Sequence, residues 1–516
     1  MRRRHAIAYG ALAVTAAALV AVTARAGLEV GPDGAEYLGV ADRLADGHGF
    51  TRAFGVPGRR LDHYGPLFPA ALAPGELLGI GARTFGWWLH VALFALDAVL
   101  VGLLTQRLAR GRLVPGIVAG ALFALTSGLL VVYSSVLSEP LYLTLQLLFV
   151  VALSAHSTAR RTTTLVGAAA FAGLAVLARF VGFALIGAGG LVLLADRARG
   201  WRQRFRDAVV FGVVAVVPFV VWMVTARIGG AHPTDRELEW HPISAQQLRE
   251  ALGSVWSVVV GREASDGGHV LGALLVAGAL VAVVVLARST RTTRTVEPRG
   301  AGVDEGARLR VLLLSCGATH LVVIALTMWF VDRTTPGSLR ILAPVLVCAL
   351  PVVVAGLAAL AERGRAWRVG MIAALVVVGA LRIVDVARAV ESHDASSLRW
   401  AAPVWERSPT LRAVDDLPPD TVIWTNAPDL VWYRTHRAVY RVTSLRVTGY
   451  RGGELVADAE ERLARLRREV ARNDGVVVLI DDLDFRSALA SVDELVDAGF
   501  TIADRYGDGV VLRVEP

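Results

Sequence analysis

Long apolar runs, separated by arginine-rich stretches or by proline- and glycine-bearing connections, fill the first three quarters of the chain. A membrane span needs about 20 apolar residues, and the pattern predicts roughly eleven of them. They fall near His5–Ala24, Thr84–Gln106, Val114–Val132, Ser138–Ala155, Thr164–Ala178, Phe180–Ala195, Ala208–Ala226, Val270–Ala287, Leu309–Val331, Ile341–Ala361 and Val369–Val386. Only Arg179 separates the fifth from the sixth, so their number is the least secure. After Val386 the pattern changes to short alternating strands: Thr421–Trp424, Val439–Val442, Val476–Ile480 and Val510–Val514. A charged helix over Glu454–Arg472 stops at Asn473-Asp474-Gly475, and Gly507-Asp508-Gly509 suits a hairpin turn. The expected architecture is a polytopic α-helical membrane domain over 1–386, with a long first external loop at 27–83, and a soluble α/β domain over 387–516.

Composition agrees with that division. Apolar residues make up 54% of the 516 positions and charged residues 19%, against about 25% charged in soluble domains. Disordered and disulfide-stapled classes are thereby excluded, and Cys316 and Cys348, both inside apolar runs, read as buried thiols. Every basic residue is an arginine, giving a net charge of +8. Arginine predominates before Val386 and acids after it, so a nucleic-acid partner is not expected. The arginines gather in every second loop, which predicts a cytoplasmic N-terminus, read as an uncleaved first helix, and an extracytoplasmic C-terminal domain.

Candidate chemistry concentrates at the predicted outer surface. The first external loop exceeds the length of a mere connector, and Asp33-Gly34-Ala35-Glu36-Tyr37 opens a helical stretch within it. Asp33 has two readings there: an N-cap with Glu36 completing a capping box, or a carboxylate kept ionised by the helix dipole and fit to take a proton from a hydroxyl. Glu139 begins the fourth span, Arg179 divides the fifth and sixth, and Arg340 opens the tenth just after Asp332-Arg333, all at one predicted depth. Ionisable groups at such places invite a functional reading, although interfacial capping and snorkelling also explain them. Two arginines beside carboxylates would suit a lipid phosphate joined to a polar head group. Asp62, His63 and Tyr64 add a polar cluster later in the first loop. Trp240-His241-Pro242 leads into Ala245–Val260, an expected interfacial helix anchored by Trp256.

These motifs, in this order, resemble the GT-C superfamily of integral-membrane glycosyltransferases, in particular its protein O-mannosyltransferase and aminoarabinose transferase branch. The carriers are Gly31-Pro32-Asp33-Gly34-Ala35-Glu36-Tyr37, then Tyr64-Gly65-Pro66-Leu67-Phe68-Pro69, Ser138-Glu139-Pro140-Leu141 and Arg340-Ile341-Leu342-Ala343-Pro344. The resemblance implies a polyprenyl-phosphate sugar donor taken from the bilayer, an acceptor hydroxyl on a glycan, lipid or protein, and Asp33 as the base of an inverting transfer. Glu139 would be a second catalytic carboxylate; Glu36, Tyr37, Asp62, His63, Tyr64, Arg179, Arg333 and Arg340 would bind substrate. The chain departs from the family pattern in having Gly34 after Asp33 where an acidic pair is common, and His63-Tyr64 where a basic residue often precedes the Pro-Leu segment. No metal-ligand cluster is evident and members of the superfamily differ in metal use, so a divalent ion near Asp33 and Glu139 stays an open option.

A second reading is a transporter or flippase. Asp97 falls mid-span, roughly 20 Å below its helix's outer end, and His320 lies at comparable depth. Together they would form a proton relay or, more simply, a structural polar pair. A third reading is a non-catalytic scaffold whose external domain binds a partner.

Overall fold

The computed structural model describes residues 2–61, 63–228, 240, 242–260, 305–331, 335–446, 453, 455–481, 483 and 488–515. The expected eighth span and the candidates Asp62 and Arg333 lie outside the described residues. The chain forms two compact units, one made of Met1–Arg25, Trp87–Thr225 and Arg236–His393, the other of Ala26–Gly86, Ala226–Asp235 and Asp394–Pro516.

The first unit is a bundle of apolar helices. Among the described residues seven helices are long and apolar enough to span a membrane: α1 (Arg2–Thr23), α4 (Ala82–Leu108), α7 (Glu139–Ala159), α10 (Trp201–Ile228), α12 (Glu305–Phe330), α13 (Leu339–Ala361) and α14 (Arg365–Ser392). The protein is thus a multi-pass membrane protein. Exposed side chains such as Val213, Val221, Leu314, Val322 and Val376 are apolar, as a lipid-facing surface requires. At the centre α7 packs on α8 (Thr162–Ala178), α12 and α13, burying Tyr142, Leu147 and Phe149.

One expected span is broken, and the expected division at Arg179 is a second break, each for an identifiable reason. The stretch 114–132 is a pair of helices, α5 (Leu113–Ala124) and α6 (Ser127–Tyr133), bent by 63°. At the break Thr126 is extended, and its hydroxyl turns back to the Leu122 carbonyl at 2.8 Å. The Ser127 hydroxyl meanwhile bonds Asp385 on α14, so polar side chains satisfy what the helix ladder loses. The second break comes at Arg179, which is fully extended (φ −153°, ψ 133°) between α8 and a single 3₁₀ turn leading into α9 (Phe183–Ala195). The turn folds tightly onto α8: a Cβ at Gly182 would lie 2.5 Å from the Val176 nitrogen.

The second unit joins the first external loop to the C-terminal segment. Helices α2 (Pro32–Ala45) and α3 (Leu67–Leu77) pack together. Val30 is tied to the later segment by Val30 N–H to Leu398 O (3.3 Å) and Trp400 N–H to Val30 O (3.1 Å). The Phe54 and Trp432 rings lie 5.4 Å apart, and Gly55 exchanges backbone bonds with Val439 and Arg441. α2 also packs on a helix of the tail, where α15 (Pro409–Asp416), α16 (Pro428–Thr435), α17 (Ala459–Arg472) and α18 (Val492–Asp497) surround a five-stranded sheet. Its order is β2-β1-β3-β5-β4, with β1 (Ile423–Thr425) parallel to β2 (Tyr440–Arg441) and β3 (Val476–Ile480), and β5 (Gly509–Arg513) antiparallel to β3 and β4 (Thr501–Tyr506). All five residues of β3 are buried, as a central strand covered on both faces demands. Leu466 and Val470 of α17 close one face over Trp424, Val477 and Leu479. The charged helix stops where the Asn-Asp-Gly signal places it, with Asp474 at φ +46°. β4, which sequence reading misses, is mostly exposed and polar.

Candidate active site

Helix α2 begins at Pro32, whose fixed φ and missing N–H suit the first helical position. Gly31 is therefore the N-cap, extended and without a side-chain cap. Asp33 lies inside the first turn, half-buried, where the helix dipole favours its charged form. The N-cap reading of Asp33 is thus excluded, and Glu36 completes no capping box: its carboxylate accepts from Arg52 at 2.8 and 3.1 Å. Glu36 is 5% exposed, and burial raises its pKa against the opposing pull of Arg52.

The Tyr64-Gly65-Pro66 segment feeds α3 and returns Tyr64 to the start of α2. Its hydroxyl donates to Asp33 Oδ1 at 2.8 Å. Tyr37, one turn after Asp33, meets the Tyr64 ring edge-on at 5.1 Å and the buried Phe68 at 5.0 Å. His63 lies against Tyr64 at 5.0 Å. Burial pushes the Tyr64 phenol well above its usual range, and the nearby Asp33 adds to the shift, so Tyr64 stays a protonated donor. Asp33, Tyr37, His63 and Tyr64 therefore form one cluster in the second unit, with Glu36 adjacent on α2. Arg52 is a member that sequence reading misses, because a loop arginine carries no positional signal.

A second cluster lies in the first unit. Glu139 opens α7, followed by Pro140, and is 2% exposed. Its Oε1 receives Arg179 at 2.6 Å and also Arg340 from the first turn of α13. Arg179 reaches Ser138 Oγ as well, at 3.2 Å. The Arg179 and Arg340 side chains are 21% and 33% exposed and both turn their guanidiniums to Glu139, so neither simply snorkels to water. Three residues separated by up to 201 positions are gathered onto one oxygen, and the extended conformation of Arg179 makes that possible. Two guanidiniums thus converge on one carboxylate, and a guanidinium fork is a shape that matches phosphate oxygens.

The mid-span pair is corrected by the structure. Asp97 accepts from the Tyr133 hydroxyl at 2.5 Å, whereas His320 is bonded to the Tyr142 hydroxyl and, at 2.7 Å, to the Cys316 carbonyl. All four side chains are fully buried. Asp97 and His320 thus serve different helix contacts, and among the described residues no hydrogen bond joins one to the other. Among the described residues no group of three or more His, Cys, Asp or Glu is placed to hold a metal ion.

No protein-family model matches the chain, and no curated protein sequence does. Solved structures do. ArnT from Cupriavidus metallidurans bound to undecaprenyl phosphate superposes with a TM-score of 0.57 at 15% identity, over 99% of each chain. The arabinofuranosyltransferase AftD from Mycobacteria gives 0.59 at 14% identity over all of this chain and 40% of its own, and a mutant form of AftD gives 0.60 over 42%. At such identities the likeness is one of fold. The chain therefore shares the fold of ArnT and of part of AftD, as its resemblance to the GT-C superfamily leads one to expect.

Proposed function

We propose that the protein is a glycosyltransferase that moves a sugar from a polyprenyl-phosphate donor to an acceptor hydroxyl, with inversion. The observation that carries this reading is Asp33, held at the start of α2 by the Tyr64 hydroxyl. The Tyr64 bond fixes the carboxylate's orientation, and the dipole of α2 favours a negative charge at that place. Asp33 takes the proton of the acceptor hydroxyl as that oxygen attacks the anomeric carbon, while the bond from that carbon to the phosphate oxygen breaks and the lipid phosphate leaves. Inversion follows from a single displacement. Tyr37, His63, Glu36, Asp62 and Arg333 complete the substrate-binding set.

Arg179 and Arg340 hold the phosphate, whose charge grows as it departs. Glu139 is their anchor: with Oε1 engaged by both guanidiniums and the residue 2% exposed, it orients them better than it could reach a hydroxyl. The bound undecaprenyl phosphate of the ArnT structure supports a lipid-phosphate leaving group. In this reading the reaction takes place on the extracytoplasmic face, the N-terminus is cytoplasmic, and the Arg160, Arg199 and Arg206 end of the bundle faces the cytoplasm. The reading draws its domain limits from the sequence, with catalysis in 1–386 and the segment 387–516 extracytoplasmic.

The test is transfer or hydrolysis of a panel of polyprenyl-phosphate sugars by the purified protein in lipid discs, alongside Asp33→Asn at matched folding. Sugar release by wild type alone supports both donor class and base. Equal release by the two proteins removes Asp33 as base. Failure of folded wild type to bind or turn over any donor removes the donor class.

A further inference from the structure

Helix α11 (Ala245–Val260) divides its circumference into three. At 100° per residue, Gln247, Ala251 and Ser254 share one side, Leu248, Leu252 and Val255 the next, and Arg249 and Gly253 the third. The first side grips the segment that leads into α13. Gln247 Nε2 donates to the Thr335 carbonyl at 3.0 Å, and Ser254 Oγ donates to the Gly337 carbonyl at 2.8 Å. The Gly337 N–H donates to Glu250 Oε2 at 3.3 Å. The approach is backbone to backbone: a Cβ on Gly337 would lie 2.5 Å from both the Ala251 nitrogen and the Gln247 oxygen. Three residues further on, Arg340 engages Glu139.

The second side is an exposed apolar stripe. Leu248, Leu252 and Val255 are 57%, 61% and 50% exposed, and Arg249 on the third side is exposed as well. α11 packs on α13 and α14, and α14 itself exposes Ile383 and Val384 as part of the lipid-facing surface. Its grip on 335–337 places it at the membrane end where α13 begins. A helix with protein, apolar stripe and charge on successive sides, at a bundle end and beside lipid-facing spans, has the form of one lying in the interface.

We infer that α11 seats its Leu248–Leu252–Val255 stripe in the headgroup–acyl boundary of the bilayer, and that its clasp on Thr335–Gly337 transmits this seating to Arg340 as a positioning device. The partner is the lipid surface itself. The seating is independent of the proposed transfer reaction, and both of its tests read without turnover.

The first test places a spin label at Leu252→Cys, and separately at Arg249→Cys, in the full chain in phosphatidylcholine–phosphatidylglycerol discs. The native thiols Cys316 and Cys348 are buried and stay unlabelled. Expected is a label at Leu252 relaxed by oxygen and shielded from a water-soluble nickel chelate, with the reverse at Arg249. Equal chelate access at both positions overturns the seating. The second test is a thermal double-mutant cycle of Ser254→Ala with Arg340→Gln in the same discs. If the clasp acts on Arg340, Ser254→Ala lowers the unfolding midpoint in wild type by at least twice what it does in the Arg340→Gln background, and Ser254→Thr restores it. Strictly additive shifts overturn the coupling and leave α11 a surface helix without leverage on the site.

Discussion

Two carboxylates, each at the start of a helix, are treated in opposite ways. Asp33 sits half-buried in the first turn of α2, oriented by the neutral Tyr64 hydroxyl. Glu139 sits 2% exposed at the start of α7, its Oε1 shared by two guanidiniums. Both enjoy a favourable helix dipole, so the dipole does not separate them; their partners do. A hydroxyl meets Asp33, whereas two guanidiniums converge on a single oxygen of Glu139. A carboxylate in the first turn of a helix thus becomes a candidate base in one place and an anchor in the other.

Breaking the first side of the comparison has the largest expected effect. Asp33→Asn should lower transfer by about 10³-fold, within the usual range for losing a general base, with binding of the polyprenyl-phosphate donor unchanged in a disc assay. Next comes Glu139→Ala, which leaves two half-buried guanidiniums without their shared carboxylate. A loss of about 3 kcal/mol is expected, read as a lowered unfolding midpoint, while the isosteric Glu139→Gln costs less. Arg179→Lys and Arg340→Lys should each raise the donor KM by about tenfold, as one fork-shaped contact becomes a point contact, with kcat largely kept.

Tyr64→Phe is the smallest. Removing one hydrogen bond is worth about 1 kcal/mol, so kcat should fall by roughly fivefold. Because burial raises the Tyr64 pKa, the phenol stays protonated through the working range and adds no alkaline limb. The alkaline sides of the wild-type and Tyr64→Phe pH–rate profiles should therefore superimpose, and an alkaline limb lost with the hydroxyl would show that Tyr64 titrates.

How much of this is legible in the sequence depends on which coordinate a residue pattern encodes. Depth is readable: counting along spans puts Glu139, Arg179 and Arg340 at one level, and the structure joins them. Azimuth is not. Asp97 and His320 share a level yet bond Tyr133 and Tyr142 respectively, because facing directions depend on packing that no single span reveals. Pro32 was the available signal against an N-cap at Asp33, since proline in the first helical position moves the cap back to Gly31. The bend between α5 and α6 is foreshadowed by Thr126-Ser127-Gly128, although hydropathy alone carries an unbroken run through it. In the tail, the buried strand β3 reads at full length from its valines, while the exposed, polar β4 is implied only by the turn that pairs it with β5. Nor does hydropathy show that the first loop and the tail belong to one compact unit, which depends on pairings such as Val30 with Leu398 and Trp400.

The most direct measurement is a side-by-side determination of donor affinity and saturated turnover for Asp33→Asn and Glu139→Gln in lipid discs, using one polyprenyl-phosphate sugar that wild type accepts. The account predicts a crossed pattern: Asp33→Asn binds donor like wild type and barely turns over, whereas Glu139→Gln binds weakly and turns over well once saturated. The opposite crossing, with turnover kept in Asp33→Asn and abolished at saturation in Glu139→Gln, would make Glu139 the base and contradict the account.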